Sequence, residues 1–285
     1  MLRLLNGFRA FVLSLIVLFN GGILYLLIQA LINQQNPNRY LLALALTVGI
    51  MGLLIFLALS PWGESFFRVT QGMRRLFPDE EAKIRPLFNE VCARAGEDPN
   101  KYELFLAPGD YVNVFAFGRK TIAFTRPMLN YASDEELKAA MSHELAHLKY
   151  GDTKLMLVAV VANAVGTIAA WVITILTFLF GLMTASSEEE GGTVSGIGVI
   201  FIVLAWIFKF CAWLLTKILD ISFMVVGRAQ EYRCDEFSAR LGYRDGLVSF
   251  LNRTMNYSQP THGVGAMLMI HHPAPGARID RLMRM

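Results

Sequence analysis

The segment Ser133-Asp134-Glu135-Glu136-Leu137-Lys138-Ala139-Ala140-Met141-Ser142-His143-Glu144-Leu145-Ala146-His147-Leu148-Lys149 decides how the chain is read. Ser133 and Glu136 form a capping box, each satisfying an orphan amide at a helix start. The helix then runs to Lys149, and Gly151-Asp152 looks like its cap. It carries the pattern H-E-x-x-H at 143–147. His143 and His147 are four apart, so both imidazoles leave one face, a turn apart. That spacing lets two neutral nitrogens bind one Zn²⁺ at ~2.0–2.1 Å. Glu144, beside the first histidine, is placed to take a proton from the water that attacks a carbonyl. It can return that proton to the leaving amine.

A catalytic zinc needs a third protein ligand and an open position. Asp152 follows the second histidine, but the helix ends there. Glu188, Glu189 and Glu190 lie in a turn between two apolar runs. Glu231, Asp235 and Glu236 follow the last apolar run. Glu231 and Asp235 are four apart and share a helix face. The residues favour Glu231 as the ligand, with Asp235 accepting an N–H from a ligating histidine. Asp152 and Asp235 remain the alternatives.

Outward from this helix the chain is apolar. Of its 285 residues 54% are hydrophobic and 17% charged, against roughly 45–50% and ~25% in soluble domains. Disorder and low-complexity sequence are excluded by that balance. The excess clusters at 10–32, 40–60, 155–183 and 197–219, each long enough for a bilayer span of ~20 residues. These four spans form two hairpins. Lys209, inside the fourth, is placed to snorkel toward its end. Positive charges flank the spans on one side: Arg3 and Arg9, then Arg68, Arg74, Arg75 and Lys83, then Lys217, Arg228 and Arg233. The hairpin turns at 33–39 and 184–196 hold only Arg39. Both termini and both long polar segments are therefore expected to be cytoplasmic.

The net charge is only +3, which gives no nucleic-acid footprint. Cys92, Cys211 and Cys234 are an odd, widely spaced set, unlike a disulfide framework. A transporter would need polar residues in several spans, and the sequence offers little beyond Lys209.

Four domains result: a first transmembrane hairpin at 1–60, a polar part at 61–154, a second hairpin at 155–219 and a polar part at 220–285. The polar parts make one discontinuous catalytic domain. In it, 78–97 reads as a helix with Ile84, Leu87, Phe88 and Val91 inward. Residues 102–107, 112–117 and 121–125 read as strands, with a turn at Gly118-Arg119-Lys120. The fold class is α+β: a four-helix transmembrane region and a mainly helical catalytic domain with a small sheet. The two ligand motifs flank the second hairpin. The site is thus expected near the bilayer surface, open to water.

The layout resembles the HtpX-type membrane zinc metalloproteases of bacteria, which are related to the eukaryotic prenyl-protein endopeptidases. Asn113-Val114-Phe115-Ala116-Phe117-Gly118 is similar to the family's N-x-F-A-x-G strand. His143–His147 matches its zinc helix and Glu231-Tyr232-Arg233-Cys234-Asp235 its E-x-x-x-D motif. His272-Pro273 with Arg278-Ile279 resembles its C-terminal H-P motif and R-I pair, except that Ala274 stands where a second proline is common. The resemblance covers the whole chain and implies a zincin-like catalytic domain with one zinc per chain. It implies an endopeptidase that degrades damaged or misfolded membrane proteins, or other unfolded polypeptides, from the cytoplasmic side of the inner membrane, in quality control and stress response. It implies substrate binding at Asn113, Val114, Phe115, Ala116 and Arg278, the strand adding the substrate as a further β-strand. His272 is placed as a donor to the developing oxyanion. The rival from another class is a membrane scaffold or chaperone holding zinc structurally, which needs no base at Glu144.

Overall fold

The computed structural model describes residues 2–154, 227–255 and 275–285, with separate positions between 157 and 217. The chain divides into two compact units, Arg3–Phe56 with Val158–Ser222, and Leu57–Leu157 with Phe223–Met285.

The first unit contains helix α1 (Leu2–Leu31) and most of helix α2 (Arg39–Leu59). Both contain stretches long and apolar enough to cross a bilayer, yet only 22% of each stretch is buried. A soluble protein's core helix would be mostly covered, whereas these leave Leu18, Leu26, Leu41 and Phe56 exposed. The buried residues form narrow stripes, Val12, Ile16, Asn20 and Ile23 on α1 and Ala43, Thr47 and Met51 on α2. Gly21 faces Thr47, where an added Cβ would meet Thr47 Cγ2 at 3.9 Å, an ordinary contact. The two polar members bond back to their own helix, Asn20 Nδ2 to Ile16 O and Thr47 Oγ1 to Ala43 O, each at 2.8 Å. No water would satisfy them in lipid. Asn33 and Asn36 close the connection by accepting N–H groups two residues on. The expected spans at 155–183 and 197–219 lie outside the described residues, apart from isolated helical positions such as Trp171 and Trp206. The acidic turn at 184–196, Lys209 and Cys211 also lie outside them.

The second unit opens with α3 (Pro61–Thr70), capped by Ser60, and β1 (Arg74–Arg75). Helix α4 (Pro78–Ala95) buries Ile84, Phe88, Val91 and Cys92. Strands β2 (Glu103–Ala107), β3 (Val114–Phe117) and β4 (Thr121–Thr125) join β1 in the order β1-β2-β4-β3. β4 pairs antiparallel with β3 and parallel with β2, so it lies between them. β3 is left at the edge. Gly118, at φ 64°, makes the β3–β4 turn. Both faces of the sheet are covered. Leu104, Leu106, Val114, Ala116, Ile122 and Phe124 enter the main core, while Phe105, Ala107, Phe115 and Ala123 form a smaller cluster opposite. That is why these strands read as continuous apolar runs.

A short α5 (Arg126–Tyr131) leads to α6 (Asp134–Tyr150). The capping box is present: Ser133 accepts from the Glu136 amide, and Glu136 Oε2 accepts from the Ser133 amide at 2.8 Å. Gly151, at φ 73°, ends the helix in the left-handed conformation. Helix α7 (residues 227–238) runs through a π-helical turn (Ala239–Tyr243) into α8 (Arg244–Met255), and α9 (Pro275–Leu282) follows. α6 is buried on every side from Glu136 to Leu148. Its polar side chains therefore need partners from neighbouring elements.

Candidate active site

Burial decides the arrangement. His143 and His147 leave α6 with their Nε2 atoms 3.3 Å apart. Glu231 on α7 reaches across both, its Oε2 3.2 Å from His143 Nε2 and its Oε1 3.1 Å from His147 Nε2. All three residues are less than one-tenth exposed. Tetrahedral ligands ~2.0–2.1 Å from one ion stand roughly 3.3–3.4 Å apart. The two imidazoles and the carboxylate thus have the spacing, and the borderline-soft donor set, of a divalent-metal site.

Each histidine is held from behind by a carboxylate. His143 Nδ1 lies 2.9 Å from Asp235 Oδ1, and His147 Nδ1 lies 3.1 Å from Asp152 Oδ2. Such a partner takes the Nδ1 proton and leaves the Nε2 lone pair facing the metal position. Arg278 grips Asp235 through Nε at 2.9 Å and Nη2 at 2.6 Å. Its Nη1 lies 3.1 Å from Glu231 Oε2. Asp152 receives Gln230 Nε2 at 2.7 Å and Arg233 Nη2 at 2.9 and 3.0 Å to its two oxygens. Cys234 Sγ stands 3.5 Å from His147 Nδ1.

These contacts set the charges. Burial and the Arg278 cation push His143 down, but Glu231 and Asp235 outweigh them and its pKa lies above the usual imidazole value. Burial also opposes His147, yet Cys234, Glu231 and Asp152 hold it well above that value. Burial pushes Asp152 and Asp235 up, while the histidine and arginine partners bring both below the usual carboxylate range. Burial pushes the Cys234 thiol up, against the pull of His147.

Glu144 is buried beside the triad and accepts the Ala116 N–H on Oε2 at 2.7 Å. The strand explains that bond. Asn113 exchanges bonds with Thr125, donating its N–H to Thr125 Oγ1 and accepting the Thr125 N–H, both at 3.0 Å. Alternation along an antiparallel pair then turns the peptide groups of Val114 and Ala116 away from β4. The side chains of Asn113, Val114, Phe115 and Ala116 are all buried.

Of the residues singled out in the sequence, His143, Glu144, His147, Glu231 and Asp235 meet at one point. Arg278 joins them, with its guanidinium on the carboxylates. His272 lies outside the described residues, as do His262 and His271. Asp152 sits against the outer nitrogen of His147, away from the Nε2 atoms. The sequence reading missed Gln230, Arg233, Cys234 and the Ala116 amide. A signal existed for the first two. Gln230 and Arg233 are three apart on α7, and the left-handed Gly151 turns Asp152 back toward that helix.

Comparison with known proteins is consistent with this geometry. Peptidase family M48 matches residues 78–285. The chain is 30% identical over 235 residues to a Protease HtpX homolog of Aquifex aeolicus (strain VF5), covering 73% of each chain. It is 24% identical over 269 residues to Protease HtpX of Escherichia coli O1:K1 / APEC, covering 87% of this chain and 88% of that one. Its fold is similar to the crystal structure of S. mikatae Ste24p, with a TM-score of 0.50 at 17% identity, over 99% of this chain and 66% of that one. The family match spans most of the chain and contains every residue of the site, so the chain belongs to peptidase family M48 and is a membrane metalloprotease of the HtpX type.

Proposed function

We propose that the protein is a zinc endopeptidase that cleaves damaged or misfolded membrane proteins at the cytoplasmic face of a bacterial inner membrane, within quality control and the stress response. The observation that carries this is the close triangle of His143, His147 and Glu231 with Glu144 beside it. These three residues would hold the ion, and two imidazoles with one carboxylate suit zinc. When bound, zinc lowers the pKa of a water and polarises the scissile carbonyl.

The chain's own groups do the rest. Glu144 Oε2 is taken by the Ala116 N–H, which leaves Oε1 to accept a proton from the attacking water. The same oxygen then delivers that proton to the leaving amide nitrogen. Of the β3 peptide groups turned away from β4, the Ala116 N–H is held by Glu144, and the others pair with an extended substrate and align its carbonyl. Arg278 holds Glu231 and Asp235 in place, and His272 donates to the developing oxyanion. The cytoplasmic orientation rests on Arg68, Arg74, Arg75 and Lys83, set against the lone Arg39 of the first hairpin turn.

Glu144→Gln separates this reading from a structural zinc site. The variant is expected to keep about one zinc per chain by elemental analysis. It should lose cleavage of an unfolded protein in detergent by about 10²–10⁴-fold. Cleavage at the wild-type rate, with contaminating protease excluded, rejects the catalytic assignment.

A further inference from the structure

Helix α3 is built inside out for a helix on a watery surface. Its inward face carries charge: Glu64 is 1% exposed and Arg68 is 8% exposed. Its outward face carries Trp62, Phe66 and Val69, at 82%, 72% and 76% exposed. The spacing of four and then three puts these apolar residues on one stripe.

The inward face has its partners. The Glu64 carboxylate fills the β3–β4 turn, accepting the amides of Arg119, Lys120 and Thr121 at 3.1, 3.2 and 3.0 Å and the Thr121 hydroxyl at 2.6 Å. Arg68 Nη1 donates to Glu103 at 2.7 Å and to Thr121 Oγ1 at 3.0 Å. Phe67 stacks on Phe117 with ring centroids 3.9 Å apart. α3 is thereby fastened to the strand that carries the Ala116 amide.

The outward face has its partner given by position. α2 ends at Leu59 and α3 begins at Pro61. The corner is tight: a Cβ on Gly63 would come within 2.3 Å of the Leu57 carbonyl oxygen and 2.7 Å of that of Ala58. No linker lets α3 swing clear of the end of the span. Trp62 is three residues past Leu59, within about 11 Å along the chain. Leu57, just before the corner, is exposed as well. Tryptophan favours the boundary between headgroups and acyl chains, and a helix with one apolar face lies in that plane.

We propose that α3 is an interfacial helix, seated in the headgroup layer of the bilayer through Trp62, Phe66 and Val69. Glu64 and Arg68 hold the catalytic sheet to it. The chain of contact runs from α3 through the β3–β4 turn and along β3 to Ala116 and Glu144. A substrate tail leaving the bilayer beside α3 meets the edge strand first. The inference rests on α2 crossing the membrane and, for this last step, on the proteolytic reading.

The test uses the full chain in lipid nanodiscs, with Trp171, Trp206 and Trp213 replaced by Phe so that Trp62 is the sole tryptophan. The expected result is a blue-shifted emission, quenched by lipids brominated high on the acyl chain and protected from aqueous iodide. Iodide quenching without bromolipid quenching would show Trp62 in water and overturn the proposal. Protection from both quenchers would show a protein partner or a second copy on this face, and would overturn it too. None of these readouts depends on activity, so they stand even if proteolysis fails. A second variant, Phe66→Glu with Val69→Glu, is assayed in proteoliposomes against one unfolded peptide, either free or lipid-tethered. Cleavage of the tethered form should fall roughly tenfold while the free form is cleaved as before. Equal rates for the tethered form in variant and wild type would reject the role in presenting substrate.

Discussion

His143 and His147 are chemically the same ligand one helical turn apart, yet their surroundings differ. His143 is backed by Asp235, and Asp235 is gripped by the buried Arg278, which also reaches Glu231. His147 is backed by Asp152, whose arginine partner, Arg233, is 20% exposed at its side chain. The first side is a closed, fully buried ion network. The second opens toward the surface. Charges removed from water depend wholly on each other, whereas exposed ones are screened. The two sides should therefore respond differently to the same loss.

The largest difference is expected in the fold of the metal-free protein. Arg278→Met leaves Glu231 and Asp235 buried without their cation, and should cost about 3–5 kcal/mol. Arg233→Met removes a partly exposed partner, and Asp152 keeps Gln230 and His147. That change should cost about 1 kcal/mol, after discounting for solvent. Thermal unfolding in chelator, in one detergent, measures both. Equal losses would break the comparison at its root.

The next effect is on metal affinity. A carboxylate behind a ligating histidine contributes about 10–100-fold to binding. Asp235→Asn should fall at the upper end, because it also strands Arg278 against His143. Asp152→Asn should fall near the lower end. Competition with a zinc chelator gives both numbers. A weaker metal in Asp152→Asn than in Asp235→Asn would reverse the ranking of the two sides.

This asymmetry was only half legible in the sequence. The His143 side could be read because its pieces are periodic: four residues separate the histidines, and four separate Glu231 from Asp235. The capping box fixed where α6 starts, and so which face carries the ligands. The His147 side depends on Gly151 reversing the chain to aim Asp152, a backbone event that spacing does not encode. Arg278 reaches Asp235 across 43 residues and His143 across 135. Such contacts have no local signature. The sheet shows the same limit. Its strands were visible as apolar runs, but the placement of β4 between β2 and β3 was not, because a buried strand is apolar on both faces whatever its neighbours are. The short β1 held two arginines and gave no pattern. α3 escaped notice for the opposite reason: its charges face inward, so polarity alone marked it as ordinary surface.

The smallest predicted effect is on pH dependence, and it follows from Arg278, a cation that acts on His143 and not on His147. Both pKa values lie above the usual imidazole range in the metal-free protein. The charged forms thus add stability that is present at low pH and lost as pH rises through those raised values. A metal needs the neutral rings, so it must expel these protons. Its affinity should be flat above the raised values and fall as pH drops through them. Arg278 is a cation beside His143 that works against its protonation. Without it His143 holds its proton more tightly. Metal release in Arg278→Met should therefore begin at a higher pH than in wild type, even at a temperature where the variant is fully folded. Arg233 meets Asp152 rather than the ring of His147, and its removal should move the release profile less. Cobalt substituted for zinc reports the release by its visible absorption. A profile in Arg278→Met that shifts to lower pH would show that the guanidinium acts on His143 mainly by holding Asp235, and not through its own charge.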